Sequence, residues 1–375
     1  MTSLFFYGTL RHAPLLAIVL GRDPASLGAD PATLADHAVL EVPGEPFPQI
    51  VERAGAVALG LLARNLTEEE IARLDFYEGG FGYETRDVTL VTPTGMTQAG
   101  VYFPAPGLWP QGGAWDLAAW QAQWGEMTCH AATEVMSYFG ERSADEVAVM
   151  FPMIRMRAMQ KVLAQNGPEA LSPSGFGRGD VQLSGHHRPY ASYFTMETIT
   201  ATHRSFSGGQ SPQIKREVLV GSDAAILLPY DPVRDRVLLI EQFRAPAFLR
   251  GDPRPWLIEP IAGRIDPGET PEDAARREAQ EEAGLTVSAL HRVSSCYASP
   301  GNATEFYHIF IGITDLPDDV TGIGGLDSEA EDIRSWLFDF DTFNGLLDGD
   351  RLNNAPLVVA GLWLARMRDR LRSGA

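Results

Sequence analysis

Residues 263–285, GRIDPGETPEDAARREAQEEAGL, constrain this chain more than any other stretch. A strand-like run over residues 256–262 feeds a glycine turn, and a short helix follows. Thr270 stands as N-cap, Pro271 takes the first helical position, Asp273 completes a capping-box pattern, and Gly284 sits where a C-cap glycine belongs. Glu278 and Glu282, four apart, share a face, with Glu281 beside them. Carboxylates so placed, with no adjacent lysine, repel one another unless they stay solvated or something neutralises them. Ala274, Ala275 and Ala279 leave the helix slim enough to pack beside a strand and fix its carboxylates in place. Fixed oxygens at a loop–helix junction suit Mg²⁺, which takes hard ligands in octahedral geometry and lets phosphate complete its shell.

This stretch resembles the Nudix box, G-x5-E-x7-R-E-U-x-E-E-x-G-U with U apolar, at Gly263, Glu269, Arg277, Glu278, Ala279, Glu281, Glu282, Gly284 and Leu285. The resemblance implies that Glu278, Glu282 and the carbonyl of Ala262 bind catalytic metals, Mg²⁺ with Mn²⁺ as a substitute. It also implies that Glu281 ligates or polarises them, and that Arg277 pairs with Glu269 to brace the loop.

A length of 375 residues points to two domains. The net charge of −19 argues against nucleic-acid binding, which needs a basic face. It leaves room for an anionic substrate, since bound metal and placed arginines invert the local field. Cys129 and Cys296 lie far apart and imply neither a disulfide framework nor a metal site. The N-terminus lacks the pattern of a signal peptide, and no run approaches the ~18 apolar residues of a membrane span. The expectation is a soluble, cytoplasmic protein without a membrane partner.

Residues 1–110 read as strands and turns, with a helix opening at residues 67–70 and broken at residues 77–80. The segments FFYGTLR and LDFYEGGFGYETR resemble the γ-glutamylcyclotransferase-like (AIG2-like) family, a small barrel with flanking helices. The resemblance implies that the loop Tyr7, Gly8, Thr9 and Leu10 cradles an α-amino-acid moiety, and that Glu78 acts as acid/base. Loop N–H groups forming an anion nest, with a lone carboxylate above it, make physical sense of that assignment. Residues 115–166 turn helical, and residues 167–185, rich in Gly, Ser and Pro, read as a linker.

After the linker, residues 190–221 read as two antiparallel strands, residues 224–240 as a hairpin, and residues 357–371 as a closing helix. The pieces HRSFSGG, KREV, AILLPYDPVRDRVLLIEQFR, SCYASPGNATE, DSEAEDIR and RLNNAPLVVAGLWL resemble the bacterial ADP-ribose pyrophosphatases. Pro300, 15 residues after Leu285, matches the downstream proline of that group. The resemblance implies that Arg216 and Arg244 pin phosphate, that Glu217 and Glu305 accept from ribose hydroxyls or adenine, and that Tyr193 or Phe194 stacks on the base. It places the general base on the loop at residues 322–332, at Glu329 or alternatively Glu331. It also implies a homodimer in which residues 190–221 exchange between subunits.

The expected architecture is α+β: a γ-glutamylcyclotransferase-like barrel at 1–113, a helical connector at 114–180, and a Nudix α/β/α sandwich with a mixed sheet at 181–375. The expected reaction is Mg²⁺-dependent hydrolysis of ADP-ribose to AMP and ribose 5-phosphate. The alternatives are another nucleoside-diphosphate sugar or NADH as substrate, a Nudix domain that only senses ADP-ribose, or a chain whose main activity is cyclotransfer in the N-terminal domain.

Overall fold

Strands punctuated by glycine and proline close on themselves in the first half of the chain. The computed structural model describes residues 2–80, 82–167, 171–326 and 331–374. It divides into two units, Met1–Ala170 and Leu171–Ala375.

The first unit contains β1 (Thr2–Phe6), α1 (Ala13–Leu20), β2 (Asp30–Glu41), β3 (Pro48–Leu66), α2 (Glu68–Gly79), β4 (Tyr83–Thr92), β5 (Gly95–Pro104), α3 (Leu117–Met136) and α4 (Ala144–Asn166). The strands form a closed barrel in the order β1-β3-β2-β4-β5, and a parallel contact between β1 and β5 completes the circuit. Alternate residues point inward, so Phe5, Leu34, Leu62, Leu90, Val101 and Phe103 fill the barrel. Helix α2 begins with a reciprocal capping box: Thr67 Oγ1 accepts the Glu70 N–H at 3.2 Å, and the Thr67 N–H donates to Glu70 Oε2 at 2.8 Å. The helix runs through residues 77 and 78 instead of breaking there, so Glu78 projects from its last turn. The two long helices read as a connector, α3 and α4, belong to this unit. The buried pair Arg157–Glu134, 2.6 Å, ties them together.

The second unit comprises β6 (Val181–Ala191), β7 (Thr195–His203), β8 (Ile214–Val220), β9 (Ala224–Asp231), β10 (Arg236–Phe243), α5 (Ala245–Arg250), β11 (Trp256–Glu259), β12 (Ile261–Arg264), α6 (Pro271–Ala283), β13 (Ala289–Tyr297), β14 (Phe306–Ile313), β15 (Ile323–Gly324), β16 (Ile333–Asp339), α7 (Phe340–Asp348) and α8 (Ala355–Ser373). Strands β6, β7 and β8 form a separate antiparallel sheet, one strand more than the sequence led us to expect. The remaining eight strands make a mixed sheet, with β14 parallel to β9 and the other pairings antiparallel. Strand β9 is buried along its whole length. Its Ile226, Leu228 and Tyr230 pack with Phe343, Leu357 and Leu364 of α7 and α8, while α6 packs against β9 and β12. Each such fully buried side chain contributes about 1.5–3 kcal/mol.

The run 256–262 is two strands rather than one. Pro260 has no N–H to give a ladder, and at that point the chain changes partner: β11 pairs with β10, and β12 pairs with β9. The switch delivers residues 261–264 beneath α6, which is where the acidic site is built. Among the described residues no helix is long and apolar enough to cross a membrane.

Candidate active sites

The site of the second unit is assembled around α6. Thr270 Oγ1 accepts the Asp273 N–H at 3.1 Å and so starts the helix. The Asp273 carboxylate meets the threonine hydroxyl at 2.6 Å, making a one-sided cap. Gly284 ends the helix in the left-handed region at φ 64°.

Arg277 organises what lies between. It grips Glu269 with two parallel bonds of 3.0 Å each, and it donates to Glu278 at 2.6 Å, to Glu281 at 2.9 Å and to the Arg264 carbonyl at 2.9 Å. The expected Arg277–Glu269 brace is therefore present, and it extends to two further box carboxylates. Glu282 is buried, and its Oε2 accepts the Ala262 N–H at 3.3 Å.

Burial pushes the Glu278 carboxyl up to about 7; Arg277 opposes the shift, while Glu281 and Glu331 add to it. Glu282 is raised well above the usual carboxylate range, first by burial and then by the charges of Glu278 and Glu331. Glu331, one of the two candidate bases, thus lies within electrostatic reach of the box; its own carboxylate accepts the Leu326 N–H at 3.2 Å. Glu329, the other candidate, falls outside the described residues.

Arg244 feels the same cluster. It pairs with Glu259 at 2.8 Å, Glu259 is held from its other side by Asn354 at 3.0 Å, and the arginine's charge acts on both Glu282 and Glu305. Burial raises Glu305, which accepts the Tyr307 hydroxyl at 3.1 Å. Tyr193 and Phe194 form an exposed edge-to-face pair with centroids 4.9 Å apart, and the Arg264 guanidinium lies 4.5 Å above the Tyr193 ring. Arg216 and Glu217 are exposed on β8, where Arg216 donates to the Lys215 carbonyl at 2.8 Å. Among the described residues no hydrogen bond or ion pair joins those two to the box.

Motif reading does not reach Glu259, Asn354 or Arg264, nor the buried chain Ser295–His308–Asp223, with contacts of 3.3 and 3.2 Å. The available signal for the last was polar residues inside otherwise apolar strands.

Among the described residues no three His, Cys, Asp or Glu side chains converge as a ready-made metal cage. The donor set nevertheless fits a hard divalent cation. Glu278, Glu282 and Glu331 offer hard oxygen donors, the charge of Glu331 bears on both of the others, and the only side-chain cation bonded directly to Glu278 among the described residues is Arg277.

A second site lies in the first unit, in a cavity of about 100 Å³ lined by Tyr7, Gly8, Thr9, Leu10 and Glu78 among others. These five, singled out from two separate motifs, line the same cavity. Burial pushes Glu78 up to about 7. Around it, the phenols of Tyr7, Tyr77, Tyr83 and Tyr102 are all raised, first by burial and further by the Glu78 charge. The tyrosines at 77, 83 and 102 come from α2, β4 and β5, and the fold of the first unit brings them together.

A carboxylate-bearing helix on a mixed sheet, its entry loop braced by one arginine, defines the second unit as a hydrolase of the Nudix class. Residues 222–358 match the NUDIX domain family, and residues 4–120 match the family described as Gamma-glutamyl cyclotransferase, AIG2-like. The chain belongs to the Nudix family. Over 201 residues it is 39% identical to an ADP-ribose pyrophosphatase of Escherichia coli (strain K12), covering 54% of this chain and 95% of that protein. It is 36% identical over 191 residues to the ADP-ribose pyrophosphatase of Haemophilus influenzae, covering 50% and 88%. It is 37% identical over 125 residues to a GDP-mannose pyrophosphatase of Yersinia enterocolitica, covering 33% and 65%. A crystal structure of an ADP compounds hydrolase matches with a TM-score of 0.41 at 20% identity, covering 52% of this chain and 97% of that one.

Proposed function

We propose that the second unit hydrolyses the pyrophosphate bond of ADP-ribose, giving AMP and ribose 5-phosphate, with Mg²⁺ as cofactor and Mn²⁺ as a substitute. The observation that carries this reading is the gathering of Glu278, Glu281, Glu282, Glu331, Arg244 and Glu305 around α6 and β12. The ADP-ribose pyrophosphatases named above favour that substrate over GDP-mannose, because they align over nearly their whole length.

A divalent cation held by Glu278, Glu282 and the Ala262 carbonyl would neutralise charge developing on the diphosphate. Arg244 binds a diphosphate oxygen by charge-assisted bonds. Glu305 accepts from a ribose hydroxyl, and Tyr193 or Phe194 stacks on the adenine, with Arg216 and Glu217 as further substrate contacts. Glu329 or Glu331 takes the proton of the attacking water as the new P–O bond forms and the bridging P–O bond breaks. A panel of ADP-ribose, GDP-mannose and NADH, assayed with and without Mg²⁺, tests the reading. It fails if every diphosphate stays intact, or if GDP-mannose or NADH is the preferred substrate. Comparing Glu329→Gln with Glu331→Gln assigns the base, which is the residue whose loss lowers kcat more than affinity.

The cavity beside Glu78 favours a second activity in the first unit: release of 5-oxoproline from γ-glutamyl amines, with Glu78 as acid/base. Formation of 5-oxoproline by the full chain, abolished in Glu78→Gln, tests it.

The protein is further proposed to act as a cytoplasmic homodimer through its second unit. The sheet of β6, β7 and β8 exposes Val181, Leu183, Tyr190 and Leu219, and both cysteines are free thiols. A monomeric mass in solution would remove the dimer.

A further inference from the structure

Arg244 carries a long, flexible side chain, and what fixes its direction lies outside the box. It follows β10, and its backbone N–H donates to the Pro255 carbonyl at 2.8 Å. Its Nε and Nη2 both meet one carboxylate oxygen, Glu259 Oε2, at 2.8 Å. Glu259 ends β11 and is only 5% exposed. A carboxylate buried to that degree has to be neutralised and hydrogen-bonded. Arg244 supplies the charge from one side, and Asn354 Nδ2 donates to Oε1 at 3.0 Å from the other.

Asn354 uses both ends of its amide. Its Oδ1 accepts the Leu357 N–H at 3.0 Å and so caps α8, a helix packed into the core through Leu357, Ala360 and Leu364. With that oxygen committed to the helix, the amide nitrogen is the end left to face Glu259, and a carboxylate paired with a guanidinium wants a donor there. Aspartate or serine would cap the helix as well, but neither carries a donor of that reach. Capping alone therefore does not account for asparagine at this position. The line from α8 through Asn354 and Glu259 ends at Arg244, whose charge bears on Glu282 and Glu305.

Resting on the reading of Arg244 as a ligand of the diphosphate, we propose that Asn354 and Glu259 are positioning residues for the hydrolysis. They hold the Arg244 guanidinium in place before substrate arrives, with Nε and Nη2 spent on Glu259 and the remaining N–H groups available to a diphosphate oxygen. An arginine already ordered loses less side-chain freedom on binding, so the gain lies in affinity. Neither residue touches substrate or moves a proton.

The test follows ADP-ribose hydrolysis by the full chain in Asn354→Asp, which keeps the cap and sets a second carboxylate against Glu259 in place of the donor. The expected kcat/KM falls about tenfold, chiefly through KM, the scale of one hydrogen bond to a charged group. In an Arg244→Met background the same substitution changes kcat/KM by less than about twofold, because the group it acts through is gone. Combining Asn354→Asp with Glu259→Gln reverses the polarity of the contact, the new amide donating to the new carboxylate, and recovers part of the lost affinity. Asn354→Ser, a shorter cap that adds no charge, gives a smaller rise in KM and carries the comparison should the aspartate variant fold poorly. A normal KM in folded Asn354→Asp, or an equal loss with and without Arg244, overturns the assignment and leaves the hydrolase reading standing. Undiminished kcat/KM in Arg244→Met removes Arg244 from the diphosphate and this inference with it. An unaltered protein that leaves ADP-ribose intact overturns the reading of the whole site.

Discussion

A Cβ placed on Gly263 would lie 1.7 Å from Oε1 of Glu278 and 1.9 Å from its carboxyl carbon. The box glycine is therefore the floor on which that carboxylate rests. The obstructing group is the far end of a flexible side chain, so Gly263→Ala displaces Glu278 without unfolding the protein. Melting temperature should change little, while hydrolysis falls by about 100-fold, the scale of an ångström misplacement at a reacting centre. Turnover near that of the unaltered protein would show that the Glu278 position is immaterial.

Metal binding in the second unit should strengthen with pH. Glu278, raised to about 7 by burial, is protonated below that value, and a hard cation binds only the ionised form. Adding Mg²⁺ should raise the melting temperature more at pH 8 than at pH 6. An equal rise at both values would separate Glu278 from the metal.

For Glu78 the sign runs against the charged form. Its folded value of about 7 exceeds the ordinary carboxyl value of 4.5, so its contribution to stability is full below 4.5 and is lost as pH rises through 7. Glu78→Gln should therefore stabilise the first unit at pH 8, by about 2–4 kcal/mol, and change little at pH 4.5. In the unaltered protein, 5-oxoproline release should rise with an apparent pKa near 7 as the base ionises. A flat profile from pH 6 to 8 would contradict this.

Asp235 ties the β9–β10 turn to the last helix. It accepts the Tyr230 hydroxyl at 2.7 Å and pairs with Arg368 and Arg372. Burial works against its charge, but these bonds outweigh it and hold the carboxyl at about 2. Its backbone φ of 58° suits asparagine as well as aspartate, so Asp235→Asn isolates the charge. The variant should lose about 1–3 kcal/mol at pH 7. That difference should shrink as pH falls from 3.8 toward 2, where the native carboxylate takes up its proton. A melting temperature equal to that of the unaltered protein at pH 7 would show that the pairs are worth nothing.

What sequence reading reached, and what it did not, follows from how local each feature is. The acidic helix, its cap at Thr270 and its terminal glycine lie within residues 263–285, so spacing alone revealed them. The fracture at Pro260 was hidden because an apolar run looks continuous until its ladder partners are known. Strand β6 carries Ser184, Gly185, His186 and His187 and is largely exposed, so it lacked the apolar alternation that marks a strand. Tyr102 reaches the cavity from β5, far along the chain from the loop at Tyr7, and nothing in a linear string joins them. Arg244 was legible as a cation, but its anchors Glu259 and Asn354 were not.

Arg277 has one further consequence. Because a single guanidinium fastens Glu269, Glu278, Glu281 and the Arg264 carbonyl, the entry loop and the first turns of the helix are laced into a hoop. Such a hoop has no intermediate slack: cut at the arginine, loop and carboxylates come undone together, and lysine, offering a point charge instead of a fork, could not tie the knot again.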